Sequence, residues 1–185
     1  MDLDLKMLAN PRSEPALSKQ AGVLSIEMIV VLGIVILILL GVAGRIAVAY
    51  LSNDNTAELT NISAIYGVIK DTKTTVGYGA AGTDLSATVI ATGKLPTNIA
   101  VSGNTITNQF GGTYTLTSTG QGFTVTTPAI PQKNCVKIAS GATQTGQWTS
   151  SSINSGSSTT GPMSTPQAVT ACSSATNSIA LVSTY

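Results

Sequence analysis

The chain has 185 residues, enough for one domain and an appendage, with a formal net charge of +1 and only 9% charged residues, against about a quarter in ordinary soluble domains. So neutral a balance excludes a basic face for nucleic acid. The sequence has no His and only two Cys, which removes the usual general base and leaves too few ligands for a structural Cys/His zinc site, so no enzyme, metal or cofactor is expected.

Residues 1–22 carry Lys6, Arg12 and Lys19. The 22 residues from Val23 to Gly44 are apolar or small but for a single charge, Glu27. A helix of that length spans ~33 Å at ~1.5 Å per residue, enough for a ~30 Å hydrocarbon core. Only Arg45 follows closely, so the positive-inside rule puts residues 1–22 in the cytoplasm and the rest outside it. The apolar run exceeds the ~7–15 residues of a secretory signal, and no Ala-x-Ala site directly follows. An uncleaved signal anchor fits these features but leaves Glu27 unexplained. An acid at the centre of a spanning helix costs ~2.5–3.5 kcal/mol, less near its end, and marks a functional position by default.

"KQAG" followed by "VLSIEMIVVLGIVILILL" resembles the prepilin signal of type IV pilins. The long leader, and Val where the type IVa subclass has Phe, resemble type IVb. The resemblance implies that prepilin peptidase cuts between Gly22 and Val23 and N-methylates Val23. It also implies that residues 1–22 are a removed leader and that the hydrophobic helix stays on the mature chain. Glu27 is then the fifth mature residue. The new α-amine at Val23, with a reference pKa near ~8, is mostly protonated. Glu27 of one subunit can face Val23 of a neighbour, so the acid fixes the stagger of bundled helices: a slip leaves it buried and unpaired. The resemblance further implies a homopolymeric helical filament, an inner-membrane precursor, a pilus assembly machinery and an extracellular pilus.

The hydrophobic helix is expected over 23–51, with an amphipathic half over 52–78. In "ELTNISAIYGVIK" Leu59, Ile62, Tyr66 and Ile69 form one apolar stripe that docks on a sheet. "SNDN" at 52–55 allows a kink or break, and Gly33, Gly41 and Gly44 weaken the helix. "VGYGAAG" at 76–82 should end it. Asp54, Glu58, Asp71 and Asp84 offer no convincing catalytic pair; Asp54 and Glu58, four apart, read as a solvated helix face.

Residues 79–185 read as a globular sheet domain. "TYTLTS" (113–118) and "FTVTT" (123–127) alternate, so Tyr114, Leu116, Phe123 and Val125 share one face about a "TGQG" turn. "NTIT" is a shorter strand. "NQFGGTYTL" (108–116) resembles a segment at the start of the type IVb hairpin, its glycines serving a turn or close packing. "IPQKNCVKIAS" (130–140) reads as a helix with Pro131 in its first turn, and "NSIALVSTY" (177–185) as a strand. The class is α+β: a long N-terminal helix on an antiparallel sheet.

In an oxidising compartment Cys135 and Cys172 would form one disulfide; two free thiols are the alternative, against which export argues. They sit where the resemblance expects the pair that staples the exposed D-region, here 135–172. Over half of residues 140–165 are Ser or Thr, and no Asp, Glu, Lys or Arg occurs from Ile138 to Tyr185. A folded surface loop is expected there, with Trp148 packed on the sheet rather than free to contact a target. The expected function is a structural pilus subunit whose D-region contacts a host or recipient cell in adhesion, aggregation or conjugative mating. A minor pilin or a secretion-system pseudopilin shares the same signal. A single-span anchored binding protein would instead retain residues 1–22 and not need Glu27.

Overall fold

The computed structural model describes the backbone of residues 26–184 and the side chains of residues 28–39 and 53–184. By internal packing the chain divides into two units, Met1–Ala43 and Gly44–Tyr185. Helix α1 is assigned over Ile26–Asp71. In the first unit its described side chains are apolar and exposed, Met28 at 63% and Leu37 at 70% among them.

The second unit is built on a five-stranded antiparallel sheet. Its strands are β3 (Thr115–Ser118), β4 (Phe123–Pro131), β5 (Ser150–Ile153), β6 (Thr159–Thr160) and β7 (Thr176–Ser183), in the order β3-β4-β7-β5-β6. A separate two-stranded sheet pairs β1 (Ala100–Ser102) with β2 (Thr105–Thr107). Short helices α2 (Ser86–Ala91) and α4 (Thr165–Ala171) and a longer one, α3 (Gln132–Thr143), complete the unit. Strand β7 is bonded on both sides: Val182 lies opposite Thr124 of β4 and opposite Ser150 of β5.

The alternation along β3 and β4 points Leu116, Phe123 and Val125 into the core, with Tyr114 beside them, all fully or nearly fully buried. Against them lies the stripe of α1: Ile62, Ile65, Tyr66 and Ile69 are buried and Leu59 partly so. Each such aliphatic side chain contributes ~1.5–3 kcal/mol through burial. Phe123 collects aromatic neighbours at centroid distances of 5.5 Å (Tyr66), 5.1 Å (Tyr78) and 6.1 Å (Trp148). Trp148 is 4% exposed and its ring centroid lies 5.0 Å from that of Tyr66 in a T-shaped pair, so it is a packing residue.

Glu58 corrects the expectation of a solvated helix face: it is fully buried. It sits one turn before Ile62, on the apolar stripe itself. The Tyr114 hydroxyl donates to its Oε1 at 2.6 Å, the Thr127 hydroxyl to the same oxygen at 2.8 Å, and the Gln109 N–H to Oε2 at 3.2 Å. Asn108 braces these donors. Its Nδ2 donates to Thr127 Oγ1 at 2.9 Å and to the Pro128 carbonyl at 2.6 Å, while its Oδ1 accepts the N–H groups of Phe110 and Gly112 at 3.0 and 2.7 Å. The two glycines of "NQFGG" have distinct reasons. Gly111 turns the chain at φ 81°, a region open to glycine. A Cβ on Gly112 would meet the Pro128 carbonyl oxygen at 2.6 Å, so only glycine lets the loop lie against β4. Opposite it, β4 breaks register between Thr127 and Ile130, with Ala129 at φ 63°.

Other boundaries differ in detail. Helix α1 runs through 52–55 without a break and ends at Asp71, before the glycines of 76–82. Helix α3 begins at Gln132, and Pro131 closes β4 and stands at the position just before the helix. The expected loop between the cysteines carries β5 and β6, and so adds strands to the sheet.

Three outcomes follow for the solubilised chain. Glu58→Ala leaves buried donors without an acceptor and lowers unfolding free energy by about 3 kcal/mol in urea titrations, with Glu58→Gln losing less. Burial first, then the neighbouring Glu58 carboxylate and the hydrogen bond to it, push the Tyr114 phenol well above its ordinary range. The unfolded chain therefore gives up this proton first: the stabilisation is whole below about pH 10 and is lost as pH rises beyond it. Tyr114→Phe makes that alkaline decline shallower by about 1.4 kcal/mol per pH unit, read from melts across pH 9–11.5. Reducing the Cys135–Cys172 disulfide costs about 4 kcal/mol by loop-closure entropy, measured with and without reductant.

Candidate functional site in the disulfide-bracketed face

Cys135 and Cys172 form a disulfide, with Cα atoms 5.9 Å apart and both residues fully buried. It ties the first turn of α3 to the end of α4. Between them the chain lays down β5, a turn, β6 and α4. The turn takes Asn154 and Ser155 through φ 52° and 57°, a conformation that Asn adopts more readily than most residues. Asn154 is pinned: its N–H donates to the Ser178 carbonyl at 2.8 Å, its Oδ1 accepts the Ser178 N–H at 2.9 Å, and its Nδ2 donates to Asn177 Oδ1 at 2.8 Å. The start of α4 follows from "STPQ". Gln167 at N3 reaches back, its Oε1 accepting the Ser164 N–H at 2.9 Å, and Pro166 sits in the first turn. The Thr143 hydroxyl accepts the Met163 N–H at 2.9 Å and so holds the entry to α4 against α3.

The β5–β6 turn and α4 enclose an open groove of about 640 Å³. Ile153, Met163, Pro166 and Ala171 supply its apolar surface. Ser157, Thr159, Thr170, Ser173 and Ser174 supply hydroxyls, and Asn154 and Gln167 supply amides. No lining residue is ionisable, in keeping with the absence of charge from residue 138 onward. An uncharged lining of hydroxyl, amide and apolar groups suits reversible binding, and nothing in the set is a nucleophile paired with a base.

The structure therefore brings the two sequence-predicted cysteines together. Gly22, Val23 and the side chain of Glu27 lie outside the described residues. Among the described residues no group of three or more His, Cys, Asp or Glu could hold a metal ion. Among them too, no helix is long and apolar enough to cross a membrane; side chains of the apolar run are described for 28–39 only. Sequence reasoning missed α4 and with it Gln167 and Thr170, although the Ser-x-x-Gln pattern at 164–167 is a helix-start signal.

The PilS N-terminal family matches residues 52–184. The crystal structure of type IV b pilin from Salmonella typhi is similar at TM-score 0.58 and 26% identity, over 67% of this chain and 95% of that one. TcpA, a type IV pilin from Vibrio cholerae El Tor biotype, is similar at TM-score 0.49 and 11% identity, over 70% of this chain and 98% of that one. No curated protein matches. With a long helix on an antiparallel sheet and a late disulfide already in place, the match over residues 52–184 decides the matter: the chain belongs to the PilS N-terminal family and is a type IV pilin of the IVb subclass.

Proposed function

We propose that this pilus subunit polymerises through its apolar N-terminal helix and contacts other cells through the disulfide-bracketed face. The observation that carries the first half is the exposure of Met28–Leu39. Every large apolar side chain in this run is between 44% and 70% exposed, on all faces of the helix. A helix apolar all round has to be covered, by lipid or by other helices. Lipid covers it in the inner membrane before assembly, and copies of itself cover it in a helical filament. Prepilin peptidase cleaves after Gly22 and N-methylates Val23. Glu27 then pairs with the amine of Val23 on a neighbouring subunit, which sets the stagger because any other register leaves a carboxylate unpaired in low dielectric. The assembly machinery draws subunits from the membrane.

The second half rests on the neutral, hydroxyl-rich surface between Cys135 and Cys172, which presents a groove of defined shape. Through it the pilus meets a host or recipient cell, in adhesion, aggregation or conjugative mating.

Two measurements check this reading. The intact mass of protein sheared from cells should correspond to a chain beginning at N-methyl-Val23 and should rise by two mass units on reduction. Retention of residues 1–22, with the protein confined to membranes, would instead identify an uncleaved anchor. Glu27→Val should reduce sheared filaments at least ten-fold while membrane-bound subunit persists; normal filament yield would remove the register role.

A further inference from the structure

We infer that Thr127, Glu58 and Asn108 are the reacting groups of a self-catalysed cross-link: an ester between the Thr127 hydroxyl and the Asn108 side-chain carbonyl, formed with release of ammonia. It concerns the interior of the second unit and does not depend on how the pilus makes its contacts. Three observations carry it.

The first is a nucleophile beside a base. Asn108 Nδ2 has only protons to give, and it donates one to Thr127 Oγ1 at 2.9 Å. The hydroxyl proton of Thr127 is therefore free for Glu58 Oε1, 2.8 Å away. That is within the reach of a general base. Thr127 and Glu58 are both fully buried, so bulk water neither takes the place of the hydroxyl nor competes for its proton. The Tyr114 hydroxyl donates to the same carboxylate oxygen at 2.6 Å and so acts as a positioning group.

The second is a polarised carbonyl. Asn108 Oδ1 accepts the N–H groups of Gly112 at 2.7 Å and Phe110 at 3.0 Å. Two backbone donors on one carbonyl oxygen are the arrangement that stabilises the oxyanion of acyl transfer. The carbonyl carbon is one short bond from Nδ2, which puts it within ~4.2 Å of Thr127 Oγ1. A partial turn of the amide brings the carbon, in place of the nitrogen, to face the hydroxyl.

The third is the backbone that encloses these groups. A Cβ on Gly112 would meet the Pro128 carbonyl oxygen at 2.6 Å and Asn108 Nδ2 at 3.0 Å. The register break in β4, with Ala129 at φ 63°, accompanies a Pro128 carbonyl that accepts from Nδ2 at 2.6 Å. Non-glycine residues at positive φ gather at functional sites. An acceptor on the amide N–H also leaves that nitrogen more ready to take up a proton as it departs.

The reaction balances without a further reactant. Thr127 Oγ1 bonds to the Asn108 side-chain carbon while its proton passes to Glu58. The N–H groups of Phe110 and Gly112 hold the tetrahedral oxyanion. The bond to Nδ2 then breaks as Glu58 returns the proton to that nitrogen, so hydroxyl and amide become ester and ammonia. Ammonia is diluted into solvent, which draws the exchange forward, and groups held side by side react as if at very high concentration. The product ties the "NQFGG" loop to β4 covalently.

The test is peptide mapping of the reduced full chain. No Lys or Arg lies between Lys94 and Lys133, so trypsin releases residues 95–133 as one peptide, whatever the N-terminus of the chain. That peptide should be lighter than its sequence mass by one ammonia. Chymotrypsin cuts between Asn108 and Thr127, at Phe110, Tyr114, Leu116 and Phe123. The fragments carrying the two residues should stay joined until hydroxylamine, which cleaves esters, separates them. Thr127→Val and Glu58→Gln should each lower the linked fraction at least ten-fold, while Thr127→Ser, which keeps the hydroxyl, should still link. A cooperative melt and an intact Cys135–Cys172 bridge show that these variants are folded. A wild-type peptide of full mass would overturn the inference whatever the variants do, and would leave Glu58 a structural clamp only. Loss of ammonia without joined fragments, or loss that survives Thr127→Val, would overturn it too, since both mark ring closure of an Asn on its own backbone.

Discussion

A carboxyl group buried without partners costs several kcal/mol, and the head of this pilin is arranged so that Glu58 is not left in that state. The acid projects from α1 and meets donors from the "NQFGG" loop, from Tyr114 ahead of β3, and from Thr127 of β4. Few arrangements of α1 on the sheet satisfy all of these bonds together. Aliphatic contacts of Ile62, Ile65 and Ile69 tolerate a small slide along the helix; a carboxylate with fixed donors does not. The register of helix on sheet thus has a polar determinant inside an apolar interface. The β4 irregularity at Thr127–Ile130 and the bare backbone of Gly112 serve this clamp, since each brings a bonding partner within reach of Asn108 or Glu58.

Much of this fold was legible in the sequence, and what was hidden was hidden for a physical reason. Alternation marked β3 and β4 and the shared face of Leu116, Phe123 and Val125, because each face of a sheet strand meets one environment. The apolar stripe of α1 followed from steps of three and four. Glu58 was misread because charge in a helix normally means solvent, and its partners lie 51, 56 and 69 residues away. A signal was present all the same: counted back from Ile62 and Ile69, residue 58 lies on the apolar stripe. An acid there is either an error or a bonded group. Strands β5 and β6 escaped notice because Ser and Thr in a run resemble a linker until a neighbouring strand supplies the ladder.

The candidate contact surface divides in the same way. Its bracket was readable, since two cysteines in an exported chain leave one pairing. Its groove was not, because the walls come from a turn and a short helix whose places are fixed by the disulfide and by the Asn154–Asn177–Ser178 bonds, which link residues distant in the chain. The lack of charge across the region was visible from the start. It acquires chemical meaning once the uncharged residues are seen to line one depression.

The position of β7 has a consequence for biogenesis. It follows every other strand in the chain, yet it lies between β4 and β5. Before it is in place, the β3–β4 hairpin and the β5–β6 pair share no backbone ladder, and the inner faces of both are open. Such non-local closure is slow and leaves sticky intermediates. The sheet is therefore unfinished until β7 is inserted between β4 and β5. A molecule cut short of β7 is left with two unjoined parts of the sheet, so the insertion of this one strand is what makes the sheet a single body.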